Sequence, residues 1–306
     1  MMIKKTLSGF FFRALRSKET YIFLLLTLLL VIPLMIEIRN DPDHFYYGYY
    51  NSFFLPAVLV CLYHIYFFSK FFRDETLTNL MLSGHSKKEI FLAAWLFSSC
   101  LSFICLLIYS LEAVTAGKII APDIKLYFSY SVLLFFLAFL FCLFFITVSL
   151  SALFISKNAV ISVIVTFIVA VITLSVSVRL ITDLMFTEDR FDPAYSAFIK
   201  RAIERGSEVE YRIDPDELQE KLYIDGEVPE YEFNADPDAL TGYKRELAKT
   251  VVLSSPTAFY YLLFIPGNTE EMVSMIKPVS INIAVTVMFI VLIIILSVHI
   301  FSRRDI

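Results

Sequence analysis

The 306-residue chain contains only eight glycines, four cysteines and four histidines, and 18% of its residues are charged. Its glycines are too far apart to form GxxxxGK[ST] or GxGxxG, the loops that cradle nucleotide phosphates. The histidines lie in separate segments and neither CxxC nor HExxH occurs, which argues against the common zinc and redox motifs. We therefore expect a chain that is not itself an enzyme and that uses no cofactor or metal.

Apolar residues, in contrast, make up 58% of the chain, and a mean hydropathy of +0.71 is too high for a soluble domain of this size. A helix needs about 20 apolar residues to cross the hydrocarbon of a bilayer. Six stretches approach or exceed this length: Tyr21–Ile38, Phe53–Ser69, Ile90–Ser110, Leu126–Ile155, Ala159–Ile181 and Val279–Phe301. The predicted fold class is an all-α polytopic membrane protein with six transmembrane helices.

Basic residues predict the orientation, because Lys and Arg in short loops remain on the cytoplasmic side. They concentrate before span one, between spans two and three, between spans four and five, and after span six: Lys4, Lys5, Arg13, Arg16, Lys18, Lys70, Arg73, Lys87, Lys88, Lys157, Arg303 and Arg304. Both termini are therefore expected to be cytoplasmic. Residues 182–278 are expected to be extracellular, and residues 279–306 form the last span and a basic tail.

Residues 1–20 have the pattern of an interfacial amphipathic helix. Apolar residues recur at helical spacing on one face, at Ile3, Leu7, Phe10, Phe11, Ala14 and Leu15. Such a helix would lie on the inner leaflet with its basic side toward anionic head groups. The alternative is a charge cluster that serves only to orient the first span.

Residues 182–254 form an acidic insert between spans five and six. Between Asp183 and Thr250 there are 18 acidic and nine basic residues. Three Asp-Pro pairs each supply a helix N-cap followed by proline, and they predict a mainly helical insert: Asp192-Pro193, Asp214-Pro215 and Asp236-Pro237. The second helix would have Glu217 in a capping box, and the third an apolar stripe at Leu240, Tyr243, Leu247 and Val251. The alternation from Val209 to Ile213 also allows a short strand.

Residues 255–278 contain a ten-residue apolar stretch, Thr257–Pro266, after Ser255-Pro256. Ten residues cannot span a bilayer, so we expect a short interfacial or re-entrant segment on the outer side. Burial against the insert is the alternative.

The predicted spans contain no acidic or basic side chain near mid-membrane, which disfavours ion coupling within the chain. His64 is the only titratable group at depth, and a neutral histidine at a helix contact is the simpler interpretation than a proton relay. Hydroxyl residues in spans four and five, such as Ser149 and Ser162, indicate close helix packing or, alternatively, a polar translocation path.

A connector of residues 71–90 joins spans two and three and is too long for a simple turn. Leu77, Leu80 and Met81 form an apolar edge flanked by charges, which suits docking into a groove of another protein or lying on the membrane surface.

In this connector the chain resembles the permease subunits of ABC-2 type transporters, whose coupling helix contacts the ATPase. The match is carried by Thr76, Leu80, Ser86, Lys87 and Ile90. Departures are Glu75 where the family has glycine, Gly84 where it has proline, and Ala93-Ala94 where Gly-Lys is usual. The order of parts along the whole chain is similar to that of the family.

The resemblance implies that the chain is the permease subunit of an ATP-driven exporter in a bacterial cell membrane. The implied partners are a second permease, separate ABC ATPase subunits and the lipid bilayer, and no nucleic acid is expected to bind. The implied ATPase contacts are Asp74, Glu75, Thr76, Leu77, Leu80, Met81, Gly84, His85, Ser86, Lys87 and Lys88. Two alternatives remain: a sensor or immunity protein that binds a partner through its acidic insert, and an intramembrane enzyme.

Overall fold

The computed structural model describes residues 2–40, 48–49, 52–122, 128–185, 193–229, 240, 242–262 and 275–303. The helices are α1 (Met2–Arg16), α2 (Lys18–Leu29), α3 (Val31–Asn40), α4 (Phe54–Arg73), α5 (Thr76–Leu82), α6 (Lys87–Ile120), α7 (Phe128–Ser156), α8 (Ala159–Met185), α9 (Pro193–Glu204), α10 (Gly242–Ser254), α11 (Phe259–Leu262) and α12 (Ile276–Arg303). The strands are β1 (Val209–Asp214) and β2 (Gln219–Ile224).

Six apolar helical segments within the described ranges are long enough to cross a membrane: α2 with α3, α4, α6, α7, α8 and α12. The prediction of a mainly helical, multi-pass membrane protein is thereby confirmed. The third span is longer than predicted, because α6 continues for ten residues beyond Ser110 as far as Ile120. Leucine, alanine and glutamate in this extension favour the helix although its hydropathy falls.

The first span is broken near its middle. Pro33 has no N–H to bond the carbonyl of Leu29, and its ring crowds that carbonyl. Leu30 accordingly leaves the α-helical pattern, and its N–H donates to Thr27 O at 3.2 Å. The break separates α2 from α3 at the position where the proline effect is expected.

The chain divides into two compact units, the first of which covers Met1–Ala170 and Val287–Ile306. Its core is rich in phenylalanine. Phe10 of α1 makes edge-to-face contacts with Phe68 and Phe97 at ring distances of 5.3 and 6.2 Å, and Phe154 contacts Phe301 at 5.2 Å. Aromatic pairs of this kind bury large areas and fix helix positions, so α1 is anchored in the bundle.

Polar side chains inside the first unit bond across helix contacts. His64 Nδ1 lies 3.2 Å from Ser98 Oγ, Trp95 Nε1 donates to Thr147 Oγ1 at 2.9 Å, and Ser162 Oγ donates to Ser149 O at 2.6 Å. These bonds favour helix packing as the role of the hydroxyl residues, and a helix-contact role for the histidine.

The second unit covers Val171–Thr286. Within it, α9 begins at Pro193 as predicted and ends at Glu204, and Gly206 follows with a φ of +81°. Gly206 N donates to Ile203 O and Ser207 N to Ala202 O, the two bonds of a Schellman motif.

The second Asp-Pro pair does not begin a helix, and this prediction is wrong. Residues 209–224 form an antiparallel hairpin in which Tyr211 lies opposite Leu222. Asp214 Oδ1 accepts hydrogen bonds from the N–H groups of Asp216 and Glu217, and the chain reverses at Leu218, which has a φ of 56°. Asp-Pro caps a turn as readily as a helix, and the alternating residues of β1 require a partner strand.

Lys221 holds the turn of this hairpin together. Its Nζ lies 2.7 Å from Asp214 Oδ2 and 3.2 Å from Glu217 Oε2, so Glu217 makes an ion pair instead of the predicted capping box. The hydrogen bond from Lys221 lowers the pKa of Asp214 and, in turn, raises the pKa of Lys221.

The apolar stripe of the third predicted helix is solvent-facing. Helix α10 is present, but Tyr243 is 82% exposed and Leu247 50% exposed, while Ala248 and Val252 are the buried residues. The Asp236-Pro237 pair that was predicted to begin this helix lies outside the described residues.

Candidate functional site

The connector is a short helix held between two tight turns. Helix α4 ends at Arg73, and Glu75 adopts a left-handed conformation with φ 52° that redirects the chain into α5. After α5, Gly84 has a φ of +92°, where side chains are strongly disfavoured. Gly84 N donates to Met81 O at 2.9 Å and His85 N to Leu80 O at 3.1 Å, again a Schellman motif.

The next helix starts with a complete capping box. Glu89 N donates to Ser86 Oγ at 3.3 Å, and Ser86 N donates to Glu89 Oε2 at 3.0 Å. Gly84 and Ser86 are therefore residues that shape the connector, because position 84 adopts a positive φ and Ser86 caps the next helix.

We expect Gly84→Ala to destabilise the connector by about 1–2 kcal/mol, because the added Cβ meets no neighbouring atom but forces a left-handed alanine. Gly9→Ala is the matched control, since it also has open space and lies inside α1, where alanine is favoured over glycine by about 0.5–1 kcal/mol. The midpoint of thermal unfolding in detergent, and the protection of residues 76–86 from hydrogen exchange, should fall in Gly84→Ala and rise in Gly9→Ala. Equal effects would contradict the backbone explanation.

The apolar residues of α5 point in different directions. Leu77 is only 4% exposed and packs inside the protein, so it is not available to a partner, contrary to the prediction of a docking edge. Leu80 and Met81 are half-buried. Leu82, which is not part of the predicted apolar edge, is 81% exposed.

Helix α1 fixes the other side of the connector. Arg13 donates to Thr76 Oγ1 at 2.9 Å and to Asp74 Oδ2 at 3.1 Å, and its guanidinium lies 4.4 Å from the centre of the Phe71 ring. Thr6 Oγ1 lies 3.0 Å from His85 Nδ1. Asp74, Thr76 and His85 are thus engaged by the chain's own first helix.

The predicted amphipathic helix is present, but its apolar face packs on protein. Phe10 and Ala14 are buried, and α1 lies along α6, whereas Leu15 of the predicted apolar face is 65% exposed. An inner-leaflet position for the whole apolar face is therefore not supported. The polar contacts of Arg13 join residues more than 60 positions apart, which no local pattern reveals.

The predicted site residues thus differ in their surroundings. Leu77 faces inward, and Asp74, Thr76 and His85 are bonded to α1; both Leu80 and Met81 lie at the margin. The outward surface of the connector includes Leu82 and, among the predicted contacts, the exposed Glu75, Gly84, Ser86 and Lys88, while Lys87 is half-buried. Thr78, Asn79 and Ser83 are exposed as well. This connector surface is a single apolar side chain surrounded by polar groups.

A second polar feature lies in the other unit, where the turn after α10 is bonded to α12. Asn282 Nδ2 donates to the carbonyls of Val252, Leu253 and Ser255 at 3.3, 3.2 and 2.7 Å, and its Oδ1 accepts from Phe259 N at 2.7 Å. Asn282 lies six residues into α12, about 9 Å along the helix axis. We call this arrangement the Asn282 clamp.

The Asn282 clamp includes residues of the predicted interfacial or re-entrant segment, namely Ser255 and Phe259. Thr257 N donates to Thr286 Oγ1 at 3.1 Å, and Ala258, Phe259 and Leu262 are fully buried. Non-helical backbone level with an apolar helix is tolerated where the protein satisfies its polar groups, as it does here. Residues 255–262 are thus packed against α12, while residues 263–274 lie outside the described part of the chain.

Across the described residues, no group of three or more histidine, cysteine or acidic side chains is arranged to hold a metal ion. The chemistry that the connector surface and the Asn282 clamp offer is recognition and mechanical support. Comparison of the chain with protein-family models and with curated proteins gives no match, so both features are assigned from their geometry alone.

Proposed function

We propose that the chain is the transmembrane permease subunit of an ATP-driven exporter of the ABC-2 type, with ATP hydrolysis on separate ABC ATPase subunits. The observation that carries the proposal is Leu82, an 81% exposed leucine on a short helix outside the spans. An apolar side chain in a polar surround is the form of a small protein-docking site, in which one residue fills a pocket of the partner.

The connector is well suited to receive force from such a partner. Its helix is closed by the Gly84 motif, joined to α6 through the Ser86 capping box, and held to α1 by Arg13. Because each junction is hydrogen-bonded, displacement of α5 passes to α1 and α6 without melting a segment. ATP-dependent closure of the ATPase subunits would switch the permease between inward and outward access.

A second permease is the partner proposed for spans five and six. Of the 18 most apolar consecutive residues of each helix, only 6% in α8 and 17% in α12 are buried within the chain. The corresponding share is 61% in both α6 and α7. Phe167 and Val160 of α8 are among the large exposed apolar side chains. A surface of this kind suits lipid contact and helix packing with a second copy or a related chain.

The orientation in this proposal follows from the basic residues. The connector and both termini are cytoplasmic, and the insert and the Asn282 clamp are extracellular, in a bacterial cell membrane. The proposal leaves the transported compound open.

The test is purification of the tagged chain from its native membrane in mild detergent, followed by mass spectrometry of the associated proteins. A P-loop ATPase in near-equal amount would support the permease function. Its absence, also after crosslinking from a cysteine placed at the exposed Lys88, would contradict it.

A sensor or immunity protein is the second candidate, and the exposed stripe of α10 favours it. Tyr243, Leu247 and Val251, which lie within the acidic insert, are 82%, 50% and 39% exposed. In this case a bound peptide would protect α10 in the full-length chain from hydrogen exchange, while changes in the connector would leave binding unaltered.

A further inference from the structure

A cleft of about 360 Å³ lies between α3 and α6 in the first unit. Its walls are formed by Val31 and Met35 of α3 and by Leu111, Ala116 and Ile119 of α6. Ligand pockets in proteins have volumes of about 300–1,000 Å³ and mostly apolar walls with few polar groups. This cleft has that composition, with a single acidic side chain.

The acidic side chain is Glu112, which lines the cleft. Its Oε2 atom is buried, and no described residue donates a hydrogen bond to it. A buried carboxylate oxygen without a donor is costly, and proteins normally pair it with a cation or a hydrogen-bond donor. The cleft therefore presents a carboxyl oxygen without a hydrogen-bond donor beside apolar walls.

The position of the cleft indicates where its occupant comes from. Glu112 lies 22 residues after Ile90 in α6, about 33 Å along the helix axis, which is close to the thickness of the hydrocarbon and indicates head-group level, while the side chains around the cleft are apolar. Leu111 and Ile119 are 61% and 74% exposed, so the cleft opens sideways from the bundle. A molecule that enters from this side is a constituent of the bilayer.

We propose that this cleft binds a membrane lipid whose head group carries a primary ammonium, as phosphatidylethanolamine does. The ammonium donates to Glu112 Oε2, and part of one acyl chain lies along Val31, Met35 and Leu111. A primary ammonium has three donors in a compact head, whereas a choline head group has none, so the carboxylate selects the first. The proposal does not depend on the ATPase, because the site is formed by this chain alone.

The test is native mass spectrometry of the full-length protein in detergent with phosphatidylethanolamine and phosphatidylcholine of identical acyl chains. We expect the unmodified chain to prefer the ammonium lipid by about tenfold, a typical effect of one charge-assisted hydrogen bond. Glu112→Gln keeps the shape of the side chain and should remove most of this preference. Glu37→Gln is the matched control, because Glu37 is an exposed carboxylate on α3 that does not line the cleft.

A second variant protects the test against misfolding of the first. Met35→Trp fills the cleft without changing the carboxylate, and it should reduce binding of the ammonium lipid to the same degree. Equal binding of the two lipids by the unmodified chain would overturn the proposal, as would a preference that survives Glu112→Gln or Met35→Trp. Dodecylammonium that binds through Glu112 when the lipid does not would also overturn it, in favour of a soluble cationic amphiphile.

Discussion

Replacing Asn282 with leucine is expected to destabilise the second unit by about 3–5 kcal/mol, the largest effect of any single substitution proposed for this protein. The amide serves three carbonyls at the end of α10 and the N–H of Phe259, and it is fully buried. Leucine is similar in size but removes the hydrogen bonds of the amide, so Phe259 N and Leu253 O lose their bonds to Asn282, whereas Val252 O and Ser255 O keep those from Ser255 N and Ala258 N. Each unsatisfied buried group costs about 1–3 kcal/mol, and some relaxation of the turn reduces the sum.

Thermal unfolding of the detergent-solubilised protein and hydrogen exchange over residues 252–259 measure this effect. Ser280→Ala is the control on the same helix, because Ser280 is exposed and its hydroxyl bonds only the carbonyl of Lys277. We expect a change below about 0.5 kcal/mol for the control. Similar values for the two variants would show that the clamp does not hold the turn.

Leu82→Asp should lower the amount of ATPase that co-purifies with the chain at least tenfold while leaving membrane insertion unchanged. The leucine is 81% exposed, so aspartate is accommodated in the free chain, but a charge placed in an apolar pocket of the partner is strongly unfavourable. Aspartate at the half-buried Leu80 and Met81 would also reduce binding, but there it would disturb the chain's own packing as well.

Ile203→Asp is the matched control for this experiment. Ile203 is a 59% exposed apolar residue on α9, in the insert, and it undergoes the same change of chemistry. The ATPase should co-purify normally with this variant. Normal co-purification of Leu82→Asp would contradict the assignment of the connector surface, whereas loss with both variants would indicate a general effect on assembly.

The sequence was sufficient where a feature depends on neighbouring residues. Six spans follow from apolar length, α9 begins at its Asp-Pro pair, and α1 has the predicted amphipathic spacing. The helix predicted from Asp214-Pro215 is wrong, because the same local cap occurs at the start of a helix and in a turn. Only the pairing of β1 with β2 decides between the two. Helical spacing also offered a signal for Leu82, since it lies about 140° around α5 from the inward-facing Leu77.

Features that join distant parts of the chain were not predictable in this way. The Asn282 clamp connects residues 23 to 30 positions apart, and the bonds of Arg13 to the connector join residues 61 and 63 positions apart. A single asparagine near the start of an apolar helix gives no indication of its partners. The cleft beside Glu112 also depends on which faces of α3 and α6 meet.

Helix α6 can act as a lever, because it is long and uninterrupted. Its 34 residues extend for about 51 Å, and no proline interrupts them. A tilt of ~5° about the connector end would move the far end by about 4 Å. The first span is broken at Leu30 and can instead bend at its middle. One wall of the Glu112 cleft is therefore the stiff helix α6, and the other is α3, which follows the break. The width of the cleft would vary with the tilt of α6.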